Sequence, residues 1–337
     1  MSERGLDVLD KYDFEVLKIS KVRGALLCET EKGSFLLKEF KGHEARLEIE
    51  DRILNLLSEN ICVETYRKNL EGALVTESEE GIKYVVKTWH EGSECNIRDL
   101  KEICLAVRML AWLHLELEKL SYIAPVCEYK GEDDVTVSYS FVPKEPAGEL
   151  FLRHNRELSR VRTYIKGRKN KNSFERLVMT SFDTFFSQAC HTAELMKGGQ
   201  PQIAQQWCHG EFCHHNVILG QRQNYIIEFS HMNKGIQIED LYYFMRKVLE
   251  KNRWDFKLGK AMTDAYSSVR AISAEEWNYI YLLFLYPEKY WKQLNFYYAS
   301  NKAWIPEKNV EKLMAVVNQQ PAREAFLSEL KKRTSFA

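Results

Sequence analysis

Between residues 207 and 229 the chain reads WCHGEFCHHNVILGQRQNYIIEF, which gathers two carboxylates, an amide and a histidine at short spacings. Glu211 follows His209 and Gly210, Asn216 comes next, and Glu228 lies beyond an apolar run and a turn. Phosphoryl transfer uses these residue types together. Little covalent chemistry falls to the protein in that reaction, so one carboxylate orients the attacking hydroxyl while an amide and a second carboxylate hold magnesium on the phosphates. Glu211, Asn216 and Glu228 stand in those three places. The residues between Glu211 and Asn216 let a loop turn back so that both side chains face one cleft.

A loop of this kind needs a frame. The runs at 217–219 and 225–229, with a turn at 220–224, predict a hairpin whose far end carries Glu228 back to the cleft. Cys208, His209, Cys213, His214 and His215 also put soft ligands close together. Structural zinc takes a second ligand pair some distance away, and the sequence offers no further CxxC or HxxxH. Cys208 and Cys213 are therefore expected in the core.

The loop resembles the H-G-D-x-x-x-x-N loop and the I-D-[FW] strand of the aminoglycoside and choline kinase branch of the protein-kinase-like fold. His209, Gly210, Asn216, Ile227 and Phe229 match, and glutamates at 211 and 228 replace both aspartates. The charge is kept and the reach is not. A misplacement of about 1 Å in a reacting group costs roughly a hundredfold in rate, so nucleotide binding can survive where turnover does not.

Upstream, runs at 14–19, 25–30 and 34–40 predict strands, and Gly33 in the turn after Glu31 and Lys32 supplies positive φ. Lys38 lies on the third strand. Ile49, Ile53, Leu54 and Leu57 then recur at helical spacing, and Glu50 shares that helix in better register than Glu48. A strand lysine followed by a helix glutamate is the order of the ion pair that positions ATP phosphates in kinases. The turn at 21–24, with Arg23 in it, has one glycine and no GxGxxG. Strands resume at 72–77 and 83–88, and the second leads into a junction where Lys87 and Trp89 would lie against an adenine.

From residue 99 the pattern turns helical, with Leu100, Ile103, Val107, Leu110 and His114 near a period of 3.6. His114 reads as a hydrogen-bonded core histidine. Residues 128–142 alternate as a short hairpin. Residues 153–171 carry eight lysines and arginines against Glu157 alone, a pattern that fits a solvated helix face or a patch for a polyanion such as a polysaccharide. Asp240 opens a helix, where it either caps that helix or braces the loop. The large aromatics of the last hundred residues, from Trp254 through Tyr286 and Tyr290 to Trp304, predict a helical core.

At 337 residues the chain can bury a large core and is long enough for two lobes. Lysine plus arginine equals aspartate plus glutamate at 48 each, and few aromatics interleave the basic run, so nucleic acid is not expected as a partner. The first residues lack a signal-peptide apolar region and no segment is apolar for the roughly 18 residues a membrane span needs. Synthesis in the cytoplasm, no membrane and reduced, scattered cysteines are the expectations.

The segments HGEFCHHNVIL, YIIEF, WHEGSECNIRDL, RHNRELSRVRTYIKGRKNKNSFE and the aromatic-rich tail from 238 to 304 resemble the CotS-type spore coat proteins of sporulating Firmicutes. The likeness covers most of the chain. It implies an α+β, bilobal protein-kinase-like fold, with a small antiparallel sheet lobe at 1–88 and a larger helical lobe at 89–337 holding the loop at 207–230. It implies assembly in the mother-cell cytoplasm, a place in the spore coat and other coat proteins as partners. Carried over position by position, Lys38 and Glu50 bind or brace ATP beside Lys87 and Trp89. Glu211 is the base, with His209 in the catalytic set, and Asn216 and Glu228 are the magnesium ligands. ATP and Mg2+ are the cofactors if the site works, and none if catalysis is lost. A scaffolding coat component with reduced or lost catalysis is the first reading. The alternative is a working phosphotransferase on a small molecule or a coat polysaccharide hydroxyl.

Overall fold

The computed structural model describes residues 5–22, 24–130, 136–141, 145–197, 202–299 and 307–336. Arg23, Trp304 and, within the hairpin expected at 128–142, residues 131–135 and 142 lie outside them. The chain forms two compact units, Met1–Pro143 with Gln205–Asp240, and Lys144–Ala204 with Leu241–Ala337. That cut differs from the lobe boundary expected at 88/89: the helix after the junction and the 205–240 segment fall in one compact unit with the N-terminal sheet.

In the first unit Val16–Val22 (β1), Ala25–Thr30 (β2) and Gly33–Glu39 (β3) form an antiparallel meander, followed by helix Glu44–Ser58 (α1). Tyr66–Arg67 (β4), Val75–Glu77 (β5) and Lys83–Thr88 (β6) complete a six-stranded sheet of order β1-β2-β3-β6-β4, with β5 also on β6. Gly33 takes φ +118°, as the hairpin turn requires. The sequence pattern did not signal β4.

Strand alternation sorts the side chains. Phe35 and Leu37 on β3 and Tyr84 and Val86 on β6 join Val8, Leu9 and Tyr12 in one buried cluster. Lys38 pairs in register with Val85, and Leu36 with Lys87. With a period of two, Lys38 and Lys87 therefore stand together on the opposite face of the sheet. Two cations on one sheet face call for nearby acids.

Ser93–Glu94 (β7) leads to helix Leu100–Lys119 (α2), whose N-cap Asp99 accepts the amides of Lys101 and Glu102 at 2.7 and 3.3 Å. Ile103, Val107, Leu110 and Leu117 are buried along one stripe of α2, as the period predicts. A hairpin of Val126–Lys130 (β8) and Thr136–Ser140 (β9) follows. Later in the chain Gln206–Cys208 (β10) pairs with Asn233–Gly235 (β13), and Val217–Leu219 (β11) pairs with Asn224–Ile226 (β12) and β7.

The second unit is helical: Ala147–Gly167 (α3), Ser173–Lys197 (α4), most of Ile238–Lys251 (α5), Phe256–Ser267 (α6), Ala274–Leu285 (α7), Glu288–Ala299 (α8) and Glu307–Lys331 (α9). Tyr266, Phe284, Tyr286 and Tyr290 are buried, so the aromatic tail does form a core. Arg323 of α9 donates to the carbonyls of Phe284, Leu285 and Tyr286, groups that a helix end otherwise leaves unsatisfied. On α3, Phe151, Leu158 and Ile165 face inward, while Arg153 and Arg162, with Arg168 just past its end, pair with Glu145, Asp183 and Glu175. Among the described residues no helix is long and apolar enough to cross a membrane.

Candidate functional site

Helix α5 begins with the acid that holds the loop. Asp240, 1% exposed, accepts the amide of His209 at 2.8 Å through Oδ2 and that of Gly210 at 3.0 Å through Oδ1. His114 of α2 places Nε2 3.4 Å from Oδ2 and is fully buried, the core role its pattern predicts. Of the two roles open to Asp240, bracing the loop is one its carboxylate performs.

His209 is fully buried as well. Its Nε2 donates to the Ile227 carbonyl at 3.1 Å and its Nδ1 accepts the Glu211 amide at 3.2 Å, which fixes the tautomer. Burial lowers its pKa and Asp240 opposes this only in part, so the ring is neutral. Both ring nitrogens serve the backbone. The side chain ties the loop to the returning segment and does not present a nitrogen to solvent.

Gly210 takes φ +82°, and a Cβ there would lie 2.0 Å from the His231 carbonyl oxygen. Asn216 donates Nδ2 to the Glu211 carbonyl at 3.0 Å, and its own carbonyl accepts the Ile227 amide at 3.0 Å. The donation leaves Oδ1 as the acceptor atom of that amide. The Glu211 carboxylate is about half exposed and contacts His231 Nε2 at 3.2 Å.

The strand carrying Glu228 was expected to run to 229 but stops at Ile226. Glu228 itself adopts the left-handed conformation, φ +65° and ψ +63°, which is uncommon for a residue with a side chain. Glu64 holds it there, accepting the amides of Glu228 and Phe229 at 2.8 and 3.1 Å through one oxygen. Arg46 of α1 donates to the carbonyls of Ser230 and Met232 at 2.7 and 2.8 Å, pinning the next turn.

The acids distribute differently from the sequence reading. Lys38 lies 2.9 Å from both carboxylate oxygens of Glu228, rather than facing Glu50. Glu50 instead accepts the Tyr66 hydroxyl at 2.5 Å in a place where burial raises its pKa. Lys87 does not lie open beside a nucleotide base: it is 3% exposed and contacts Glu64 at 2.9 Å, with its ammonium over the Tyr66 ring. Burial works against the Lys87 charge, but Glu64, Tyr66 and Glu50 overcome it and hold the ammonium well above the usual lysine range. The physical reason is the shared sheet face. Two lysines stand there, and the more buried one takes the more buried acids.

Burial also opposes ionisation of Glu228, yet Lys87, Lys38 and the Ser230 hydroxyl at 2.7 Å pull its pKa down to about 2. An ionised carboxylate and an amide oxygen are hard donors suited to magnesium, which is held by one or two carboxylates plus substrate phosphates. The donor set fits that ion. Among the described residues no group of three or more His, Cys, Asp or Glu side chains is placed to hold a metal, and Cys208 and Cys213 are buried.

Trp89 donates its amide to the Ser34 carbonyl at 2.9 Å and is half-buried. It lines an open pocket with His90, Gly92, Arg222 and Tyr225, where the His90 and Tyr225 rings stack at 3.6 Å. Glu64, Arg46 and His231 were missed from sequence. Each is a single polar residue outside any motif, and only folding shows what it touches.

The fold that carries this site recurs in solved phosphotransferases. An aminoglycoside phosphotransferase from Alicyclobacillus acidocaldarius subsp. acidocaldarius DSM 446 superposes with a TM-score of 0.80 at 18% identity, covering 97% of this chain and 95% of that one. A spectinomycin phosphotransferase in complex with ADP and spectinomycin gives 0.60 at 14% identity, with 94% and 96% covered. An amicoumacin kinase in complex with AMP-PNP, Ca2+ and Ami gives 0.58 at 13%, with 98% and 93% covered. No family model matches the sequence, and no curated protein matches it.

Proposed function

We propose that this chain, which has the protein-kinase-like fold of the aminoglycoside phosphotransferases with an antiparallel sheet and a mainly helical part, is a spore coat component in which that fold binds a magnesium nucleotide, transfers phosphoryl at a reduced rate, and serves the coat chiefly as a scaffold. The observation that carries the reading is the Glu228 carboxylate, taken up by Lys38 at 2.9 Å to both oxygens and by Ser230 at 2.7 Å. Charge that would otherwise meet phosphate and metal is satisfied within the protein.

In this reading Asn216 Oδ1 and Glu228 hold magnesium, which when bound neutralises charge on the phosphates. Lys38 is the cation free to move from Glu228 to a phosphate oxygen. Glu211 orients the acceptor hydroxyl. His209, Asp240 and Glu64 keep the loop and the turn in register. Exposed cations of α3, among them Arg156 and Arg160, supply a face for an acidic coat polymer.

The retained Asn216 contact and the Asp240 brace favour a second reading, a working phosphotransferase on a small-molecule or polysaccharide hydroxyl. One experiment separates the two. Thermal melts with and without magnesium–ATP should show a midpoint rise of several degrees at about a hundredfold excess over Kd, lost in Asn216→Ala. ADP release should be slow and should rise at least about tenfold in the double variant Glu211→Asp, Glu228→Asp. Wild-type turnover equal to or faster than that variant would establish the working enzyme. Absence of any nucleotide shift would sink the nucleotide site.

A further inference from the structure

The glutamate at position 211 brings a difficulty that an aspartate would not. Its longer side chain has one more rotatable bond, and the freedom of an exposed carboxylate must be restrained before it can orient a hydroxyl. We propose that His231 is the positioning residue that supplies this restraint; the inference rests on the reading of the loop as a phosphoryl-transfer site.

His231 Nε2 lies 3.2 Å from Glu211 Oε2, within ion-pair reach, so a modest turn of the exposed ring aims its N–H at that oxygen and leaves Oε1 for the acceptor. The imidazole is exposed, but its backbone is fixed. Its carbonyl accepts Asn233 Nδ2 at 2.7 Å and packs on Gly210, where even a Cβ would not fit. The carbonyls on either side of it, Ser230 and Met232, are both gripped by Arg46, and the Met232 amide closes on the Phe229 carbonyl at 2.7 Å. With the backbone held, the ring can move only about its own side-chain bonds, which keeps it beside the carboxylate. An aspartate at 211 is one methylene shorter and is expected to engage it less.

The step served is ordinary phosphoryl transfer from a nucleoside triphosphate. The acceptor oxygen bonds to the γ-phosphorus, the bond from that phosphorus to the β–γ bridging oxygen breaks, and ADP departs with the electron pair. The hydroxyl proton passes to Glu211 Oε1. His231 changes no bond and only holds the other oxygen.

A pair exposed on both sides contributes little to folding, so its removal should register in rate rather than stability. The test measures ADP release from magnesium–ATP, with the thermal midpoint followed in the same samples. His231→Ala should lower kcat about tenfold with KM for ATP unchanged, and His231→Gln, which restores a donor, should recover most of the loss. On a Glu211→Asp background the same alanine change should cost less than about twofold. Equal losses on both backgrounds, or no loss on either, would overturn the proposal. So would wild-type ADP release no faster than Glu211→Gln; retention of the nucleotide-induced midpoint rise would then leave the binding site standing, and its loss would remove that as well.

Discussion

Gly210 and His231 meet backbone to backbone, so closely that a methyl group on Gly210 would sit 2.0 Å from the His231 carbonyl oxygen. At φ +82° the glycine is also in a region that costs an ordinary residue about 1 kcal/mol or more. Gly210→Ala should therefore destabilise by more than about 2 kcal/mol in urea denaturation. Gly72→Ala is the control: it has the same φ and open space around it, and should lose only about 1 kcal/mol.

Asp240 satisfies two loop amides while buried. Asp240→Ala leaves the amides of His209 and Gly210 without their acceptor and should cost about 3 kcal/mol, read from the denaturation midpoint at constant m. Asp240→Asn keeps one oxygen and should lose roughly half as much. An alanine variant as stable as wild type would refute the brace.

Glu228 makes stability depend on acid. Its pKa is pulled from the usual 4.5 to about 2, so the carboxylate's contribution is complete above pH 4.5 and is lost as pH falls from there toward 2. Lys38→Met removes one of the groups responsible and should move the acid-unfolding midpoint upward. The check is a pH titration of tryptophan fluorescence at fixed ionic strength.

Lys87 and Glu64 form an ion pair 3% and 5% exposed. Breaking one side of such a pair is costly, about 3 kcal/mol or more, because it strands a buried charge. Lys87→Met should show that loss. Adding Glu64→Gln should recover part of it, since a glutamine oxygen can still accept the amides of Glu228 and Phe229. A double variant less stable than the single one would contradict this assignment.

The loop and its frame were legible because they are local. His209, Gly210, Glu211 and Asn216 fall within one turn of chain, and the β11–β12 hairpin follows from two apolar runs around Gly220. The face shared by Lys38 and Lys87 was legible in principle from strand parity. The partners were not. Glu50, Glu64 and Glu228 all compete for two lysines, and Lys38 with Glu228 are separated by 190 positions. Which acid wins depends on the depth of each group, and that is set by tertiary packing. Glu64 carried no signal at all, standing alone between Val63 and Thr65 ahead of a two-residue strand.

Arg46 gives α1 a mechanical grip on the acid side of the site. Its guanidinium clasps the carbonyls of Ser230 and Met232, so a shift of α1 along its axis drags the turn next to Glu228 with it. The helix and that turn are geared together. A displacement of α1 therefore has a route to Glu228 separate from the Lys38 contact.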